Sequence, residues 1–345
     1  MPQAPWQIAA MALICSLAAA QAARADDVTP PPAPTTRTPD DERTFSINWE
    51  DDIWNGTDAN YTDGIRFSVA GRQDDVPDWL EYLADNTPFF DASGAKRWQF
   101  AAGQDMFTPK NYQLYTPQPN DRPYAGWLFG SAGVTSDTGK TLDNLNLTLG
   151  IVGPSSLAAQ VQETVHSLIG SPHPDGWRYQ LHDEPGGIIS YERKWRNLWQ
   201  VNPDGYGFDL TPSMGAAVGN VLTQASTGAV VRFGKDLPTD YGPPLINSVL
   251  TGTDYFERTK NDELGWYVFA GVQGDAVAHN IFLDGNTFQS SAHVDKENFV
   301  GDLQGGLAVT YHGVRYAYTE VVRSKEFKTQ DDSNSYGALT VSWKF

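Results

Sequence analysis

Along the last seven residues the chain alternates without a slip. Leu339, Val341, Trp343 and Phe345 share one face, and Thr340, Ser342 and Lys344 share the other. The same alternation opens the ordered part of the chain, where Phe45, Ile47 and Trp49 stand against Ser46, Asn48 and Glu50. It returns where Ile65, Phe67 and Val69 stand against Thr62, Gly64 and Arg66. Period two is the signature of a β-strand with two unlike faces. Further strands of this kind are expected near 62–71, 97–106, 124–136, 143–152, 187–197, 207–219, 223–234, 265–276, 299–311 and 313–324. With the first and last segments these make about twelve, the even count that a bacterial transmembrane barrel needs. The pattern therefore predicts an all-β fold, an antiparallel transmembrane β-barrel with apolar side chains to lipid and polar ones to the lumen.

The alternation breaks between 153 and 170. Leu157, Val161, Val165 and Leu168 recur at helical spacing, opened by Pro154 and closed by Gly170 and Pro172. This predicts a short helix packed by that stripe onto the barrel or into its mouth. With both termini periplasmic, parity places the connections near 52–61, 107–123 and 153–186 on the extracellular side. Two long connections, near 72–96 and 235–264, fall on the periplasmic side.

The ends frame the barrel. Residues 1–25 read as a secretory signal, with an apolar core from Ile8 to Ala20 and small residues up to Ala25. Residues 26–43 form a flexible Pro-rich lead-in, and 44–345 the barrel. The sole cysteine, Cys15, lies within the signal, so disulfides do not figure in the expected stability. No later segment holds about 20 consecutive apolar residues, so a transmembrane helix is not expected. Abundant Gly (32) and aromatics (12%) suit a membrane barrel. A net charge of −18 argues against a nucleic-acid partner, and no protein partner is evident. The expected location is the outer membrane of a Gram-negative bacterium.

Candidate chemistry sits in three clusters. Glu50 to Gly64 is dense in carboxylates and amides, a set of oxygen donors suited to a hard cation such as calcium. By strand parity Asp52 and Thr62 both face inward and meet at the inner rim. The helix carries Gln162 and His166 four residues apart, hence on one face. The third cluster joins Gln104–Lys110 to Asp121–Trp127, where Lys110 and Arg122 could meet phosphate groups or, for Arg122, lock a loop with Asp121. The chain has no Gly-x-Ser-x-Gly elbow and no His-Glu-x-x-His, which leaves serine-hydrolase and zinc-protease readings unsupported.

Taken together, these clusters resemble the lipid A 3′-O-deacylase (LpxR) family of outer-membrane barrels. The resemblance runs from about 44 to 345 and rests on Asp52–Gly64, Gln104-Asp105 with Thr108-Pro109, Asp121-Arg122, and Gly153-Pro154 through Gln162 to His166 and Ile169-Gly170. It implies calcium-dependent hydrolysis of the 3′-linked acyl ester of lipid A, at a site facing the cell exterior. His166 is then the general base, Gln162 a positioning residue and Lys110 the nearest candidate for an active-site lysine. Asp52, Asp51 and Thr62 stand on the calcium side, and Arg122 toward substrate. A neutral imidazole can take a proton from water, and a divalent cation can steady the oxyanion, so no covalent nucleophile is needed. The alternatives are a phospholipase-like acyl hydrolase on the same scaffold and a non-catalytic outer-membrane barrel.

Overall fold

The computed structural model describes residues 40–53, 60–200, 206–238, 240–259 and 263–345, with the backbone alone at 197–200. The expected signal, the expected lead-in up to residue 39 and residues 54–59 lie outside the described residues.

The strands are β1 (Thr44–Asp51), β2 (Asn60–Ala70), β3 (Ala95–Thr108), β4 (Ala125–Asp137), β5 (Thr141–Val152), β6 (Glu184–Trp195), β7 (Asn197–Gln200), β8 (Tyr206–Gly219), β9 (Leu222–Lys235), β10 (Gly265–Asn280), β11 (Phe299–Tyr311), β12 (Val314–Arg323) and β13 (Asn334–Lys344). Each pairs antiparallel with its neighbours, β1 pairs with β13, and β6 pairs with β8. The sheet is therefore closed. β6 and β7 are separated only by Arg196 and pair with successive parts of β8, so they form one interrupted stave. The barrel has twelve staves, as the alternation predicts.

The closing seam shows why these residues choose this fold. Ser46, Asn48 and Glu50 are buried inside, and Phe45 meets Trp343 on the outer side at 4.6 Å. Closure satisfies every edge, which lipid cannot do. Both ends of the sheet, Thr44 and Lys344, lie at one end of the barrel, called the terminal end; the other is the far end.

The connection 236–264 enters the lumen from the terminal end. Asn48 donates to the Pro244 carbonyl (3.0 Å), and the Glu50 carboxylate accepts from the amides of Ile246 (2.6 Å) and Asn247 (3.1 Å). Deeper in the network Arg66 makes a two-pronged pair with Asp254 (2.6 and 2.5 Å). Asp240 lies between Arg232 (2.7 Å) and Arg315 (2.8 Å), and Arg232 also grips Asp209. The inward polar face of the barrel is thus used to hold a plug. Between plug and wall remains a cavity of about 190 Å³ bordered by Arg66, Asp105, Ile246 and Asp275.

The 71–94 connection behaves differently. Its helix α1 (Asp78–Asn86) lies against the outside of the wall, covering Val134 through Leu80 and Ala84. At the far end Asp284, which ends the short helix α3 (Ile281–Asp284), latches the 281–298 connection. Its carboxylate accepts from Asn280 N (2.9 Å) and Lys296 Nζ (2.9 Å), with His279 Nδ1 at 3.2 Å. Burial alone would raise this carboxyl, but the hydrogen bonds from His279, Asn280 and Lys296 outweigh it and bring it down to about 2 from 3.8. A depressed pKa contributes stability above the unfolded value that is lost as pH falls through the folded one. Asp284→Asn is expected to cost about 1 kcal/mol at neutral pH, after allowing for solvent screening, and nothing below pH 2. Urea unfolding of wild type and variant across that pH range checks it.

Candidate active site

Strand parity first settles which side of the wall carries the site. Asp105 and Phe107 on β3 and Trp127 and Phe129 on β4 border the lumen cavity, so Gln104, Met106, Thr108, Gly126 and Leu128 are on the outer face. The cluster that seats the 153–183 connection consists of Met106, Tyr124, Ala158 and Trp177, with Tyr112 and Ala159 packed against it. It lies outside the barrel, at the far end.

Local sequence brings helix α2 (Ala158–Ile169) to that place. Gly153 turns the chain at φ +100°, a value that favours glycine, and its amide bonds the Gly126 carbonyl (3.0 Å). Pro154-Ser155-Ser156 makes a single 3₁₀ turn, pinned by Asp183, which accepts from Ser155 N and Oγ at 2.7 Å each. Gln104 Nε2 donates to the Ser156 carbonyl (2.6 Å). A Cβ placed on Gly126 would strike Ser156 Oγ and the Ala158 methyl. Glycine at 126 is therefore what lets α2 lie close to the wall. Gly126→Val is expected to destabilise by about 1–3 kcal/mol and, by shifting the helix about 1 Å, to lower any His166-dependent rate about 100-fold. Steady-state rates beside thermal unfolding separate the two effects.

The helix faces the wall with Ala158, Gln162 and His166, which are buried. Its apolar stripe does the opposite of what the pattern predicts: Leu157, Val161, Val165 and Leu168 are exposed, Leu168 to 80%. Small Ala158 permits the close approach, and the two polar side chains find partners beneath the helix. Trp177 Nε1 donates to Gln162 Oε1 (2.6 Å), which fixes the amide with its NH₂ end turned away from the indole. His166 Nδ1 lies 2.6 Å from the Pro172 carbonyl, and the Tyr112 ring stands edge-on to the imidazole at 5.6 Å. A carbonyl oxygen only accepts, so Nδ1 carries the proton and, in the neutral ring, Nε2 is the basic nitrogen. Tyr112 is itself held by its carbonyl, which accepts from Tyr124 Oη (2.6 Å).

The Asp52–Thr62 corner sits beside this cluster. β2 carries a bulge between Tyr61 and Asp63, and Thr62 is the extra residue. A bulge re-aims its side chain. Thr62 Oγ1 meets Thr108 Oγ1 at 2.8 Å, on the outer face rather than the inner rim that unbroken parity predicts. Thr108 is two residues beyond Met106 on the same strand face, about 6–7 Å away. Asp52 is buried beside it, its amide bonding the Thr62 carbonyl (3.4 Å). Asp51 is in register with Asp63 on the outward side of β1, and its carboxylate accepts from Ile53 N (2.8 Å).

The two cationic candidates hold other partners. Lys110 is exposed and pairs with Asp331 (2.7 Å). Arg122 is wholly buried over the Phe107 ring and pairs with Glu326 (3.2 Å). Asp121 locks the loop by accepting from the amides of Lys110 and Arg122 (2.8 Å each).

Among the described residues no group of three or more His, Asp or Glu side chains comes together as a metal centre. The Asp52 corner supplies one carboxylate and hydroxyls, donors of the kind a hard cation takes but fewer than its usual six to eight. His166, Gln162 and Trp177 thus form one unit, and Asp52, Thr62 and Thr108 a second beside it. Tyr112 and Trp177 carry no motif; only their aromatic character beside a buried polar helix face could have marked them.

A closed twelve-stave barrel with a helix on its outer wall defines an outer-membrane β-barrel protein. The family model described as outer membrane protein LpxR matches residues 8–345. The chain belongs to that family, a family of lipid A deacylases. Among solved structures it is similar to LpxR from Salmonella typhimurium, with a TM-score of 0.72 and 21% identity over 88% of this chain and 100% of that one. The β domain of the Bordetella autotransporter BrkA (TM-score 0.41, 8% identity, 90% and 99% covered) and the translocator domain of NalP from Neisseria meningitidis (0.35, 11%, 96% and 97%) also match. No curated protein sequence matches.

Proposed function

We propose that the chain is a calcium-dependent hydrolase that removes the 3′-O-linked acyl group of lipid A. The far end then faces the cell exterior and the outer leaflet. The observation that carries this reading is an imidazole whose Nδ1 proton is directed at the Pro172 carbonyl, held between α2 and the barrel's outer wall, the side from which a lipid arrives through the membrane. The exposed apolar flank of α2 supports it, since an apolar patch of this kind marks a surface made for an apolar neighbour.

His166 Nε2 accepts a proton from water, and the hydroxide adds to the ester carbonyl. The tetrahedral intermediate then breaks its bond to the 3′ oxygen. The imidazolium returns the proton to that oxygen, leaving a sugar hydroxyl and a free fatty acid. The Pro172 carbonyl holds the ring in the required tautomer throughout. Gln162, fixed by Trp177, positions the helix face and offers amide N–H groups toward the reacting oxygen. Calcium would be held at Asp52 with Thr62, Asp51 contributing from the same turn, and would polarise the ester carbonyl. Lys110 would stand toward the substrate, and Arg122, paired with Glu326, would fix the loop around it.

Mass spectrometry of lipid A from cells expressing the chain tests the reading. The 3′ acyl mass should disappear, and EDTA added to isolated membranes should stop the loss until calcium is restored. Unchanged lipid A with the barrel present in the membrane sinks it. Release of fatty acid from phospholipid instead would move the same chemistry to another substrate.

A further inference from the structure

Helix α1 has no part in the proposed chemistry, yet it is built with care. Leu80 and Ala84 face the wall, where they cover Val134 with Trp98, Leu145 and Tyr191 around them. Val134 pairs with Trp98 and Leu145, and Leu145 with Tyr191, so this patch is the outer face of β3–β6 near the terminal end. The next outward residues along β3, β5 and β6, namely Phe100, Leu147 and Ile189, are exposed apolar side chains of the lipid-facing belt, as is Leu128 further along β4. The helix therefore continues that belt.

Its two flanks differ. Glu81 and Asp85 reach Lys96 (3.0 and 3.3 Å), which precedes Trp98 on β3 toward the terminal end. Trp79, Tyr82 and Leu83 stand exposed on the remaining surface, Tyr82 to 68%. An acidic flank on one side and an aromatic flank on the other is the division a helix needs at a water–lipid boundary. Trp and Tyr favour that level in membrane proteins.

A second observation points the same way. Phe89 is 85% exposed and has φ +69°, a left-handed value that is rare for a bulky residue. The wall holds it there: its carbonyl accepts from Tyr191 Oη (3.1 Å) and Arg193 Nη2 (2.5 Å), both of which also bond Asp143. The strained turn sends Phe90 inward and Phe89 outward. In water such strain would gain nothing.

The spacing agrees. From Trp98 under α1 to Met106 under α2 is eight residues of one strand, about 26 Å along the strand and about 20 Å along the barrel axis at the usual tilt. The apolar band of such barrels is about 25 Å tall. The two helices thus stand toward opposite edges of that band on the same wall.

We propose that α1 and Phe89 form an interfacial anchor, inserted among the phospholipid headgroups and upper acyl chains of the leaflet at the terminal end. Single-cysteine variants of the full chain test it, with Cys15→Ala as background. An NBD label would be placed at Tyr82→Cys, Phe89→Cys, Leu149→Cys in the belt and Asp75→Cys on the same connection. Each is reconstituted into phosphatidylethanolamine–phosphatidylglycerol vesicles with and without doxyl-labelled phospholipid. Labels at 82 and 89 should lose emission to the quencher as the Leu149→Cys label does, with blue-shifted spectra, while the Asp75→Cys label keeps its emission. Labels at 82 and 89 that behave like Asp75→Cys overturn the proposal. If Phe89→Cys fails to fold, Tyr82→Cys carries the test alone. The readout does not involve ester hydrolysis, so its failure leaves the proposed activity untouched.

Discussion

His166→Ala is expected to slow acyl release by about 10²–10⁴-fold, or about 3–5 kcal/mol of transition-state stabilisation. The barrel should remain folded. The size follows from losing a basic nitrogen beside the outer wall while the wall itself stays in place. The imidazole bonds the Pro172 carbonyl and stands edge-on to the Tyr112 ring. The Michaelis constant should change little, because the substrate's chains are held by the membrane and the α2 flank. His166→Gln, which keeps an amide but no base, should be as slow as the alanine variant. A variant retaining near-wild-type turnover would remove His166 from the chemistry and leave it as a packing residue. Single-turnover assays with purified enzyme in mixed micelles distinguish these outcomes.

The largest expected effect on stability lies far from that site. Asp240 is buried between two arginines, and Arg232 in turn holds Asp209. Two cations and two anions cancel inside the lumen. Asp240→Ala removes the carboxylate that Arg315 pairs with directly, leaving its hydrogen bonds to the Thr253 carbonyl and the Ser342 hydroxyl. Breaking one partner of a buried pair costs about 3–5 kcal/mol, mostly through the charge left uncompensated. Lower urea midpoints and a conducting pore in planar bilayers are expected together, because the plug is what the pair retains. Unchanged stability would mean that water reaches Arg315 and pays the solvation itself.

Much of this was legible in the alternation. Phe45, Ile47 and Trp49 place β1 and its facing as they are observed, and the twelve staves follow at their expected places. The alternation places the 236–264 connection on the terminal side but gives no sign that it turns back into the lumen. Glu50 and Asn48 are plain inward polar residues in sequence, and nothing in their period says that a loop's backbone will satisfy them. The stripe on α2 was read correctly as a helix and wrongly as its buried face. Helical periodicity reports which residues share a side, but which side faces lipid depends on where the helix docks. Thr62 shows a third limit: one bulged residue inverts a parity argument, and the segment Asn60–Gly64 carries no local mark of it. Tyr112 and Trp177 carry no sequence mark because their roles come from packing: Tyr112 meets His166 from a different connection, and Trp177 reaches back 15 residues to Gln162.

A site on the outer wall, as proposed, changes what concentration means for this protein. A lumen enzyme would meet its ligand in solution and obey molar units. On that reading, a site beside α2 would meet its ligand by diffusion within a plane, so occupancy would be set by mole fraction per unit area of leaflet. A released acyl chain likewise stays in that plane and competes with incoming lipid until it is carried off. The surrounding membrane is therefore both the reservoir of reactant and the sink for product, and crowding within it governs turnover as directly as any side chain.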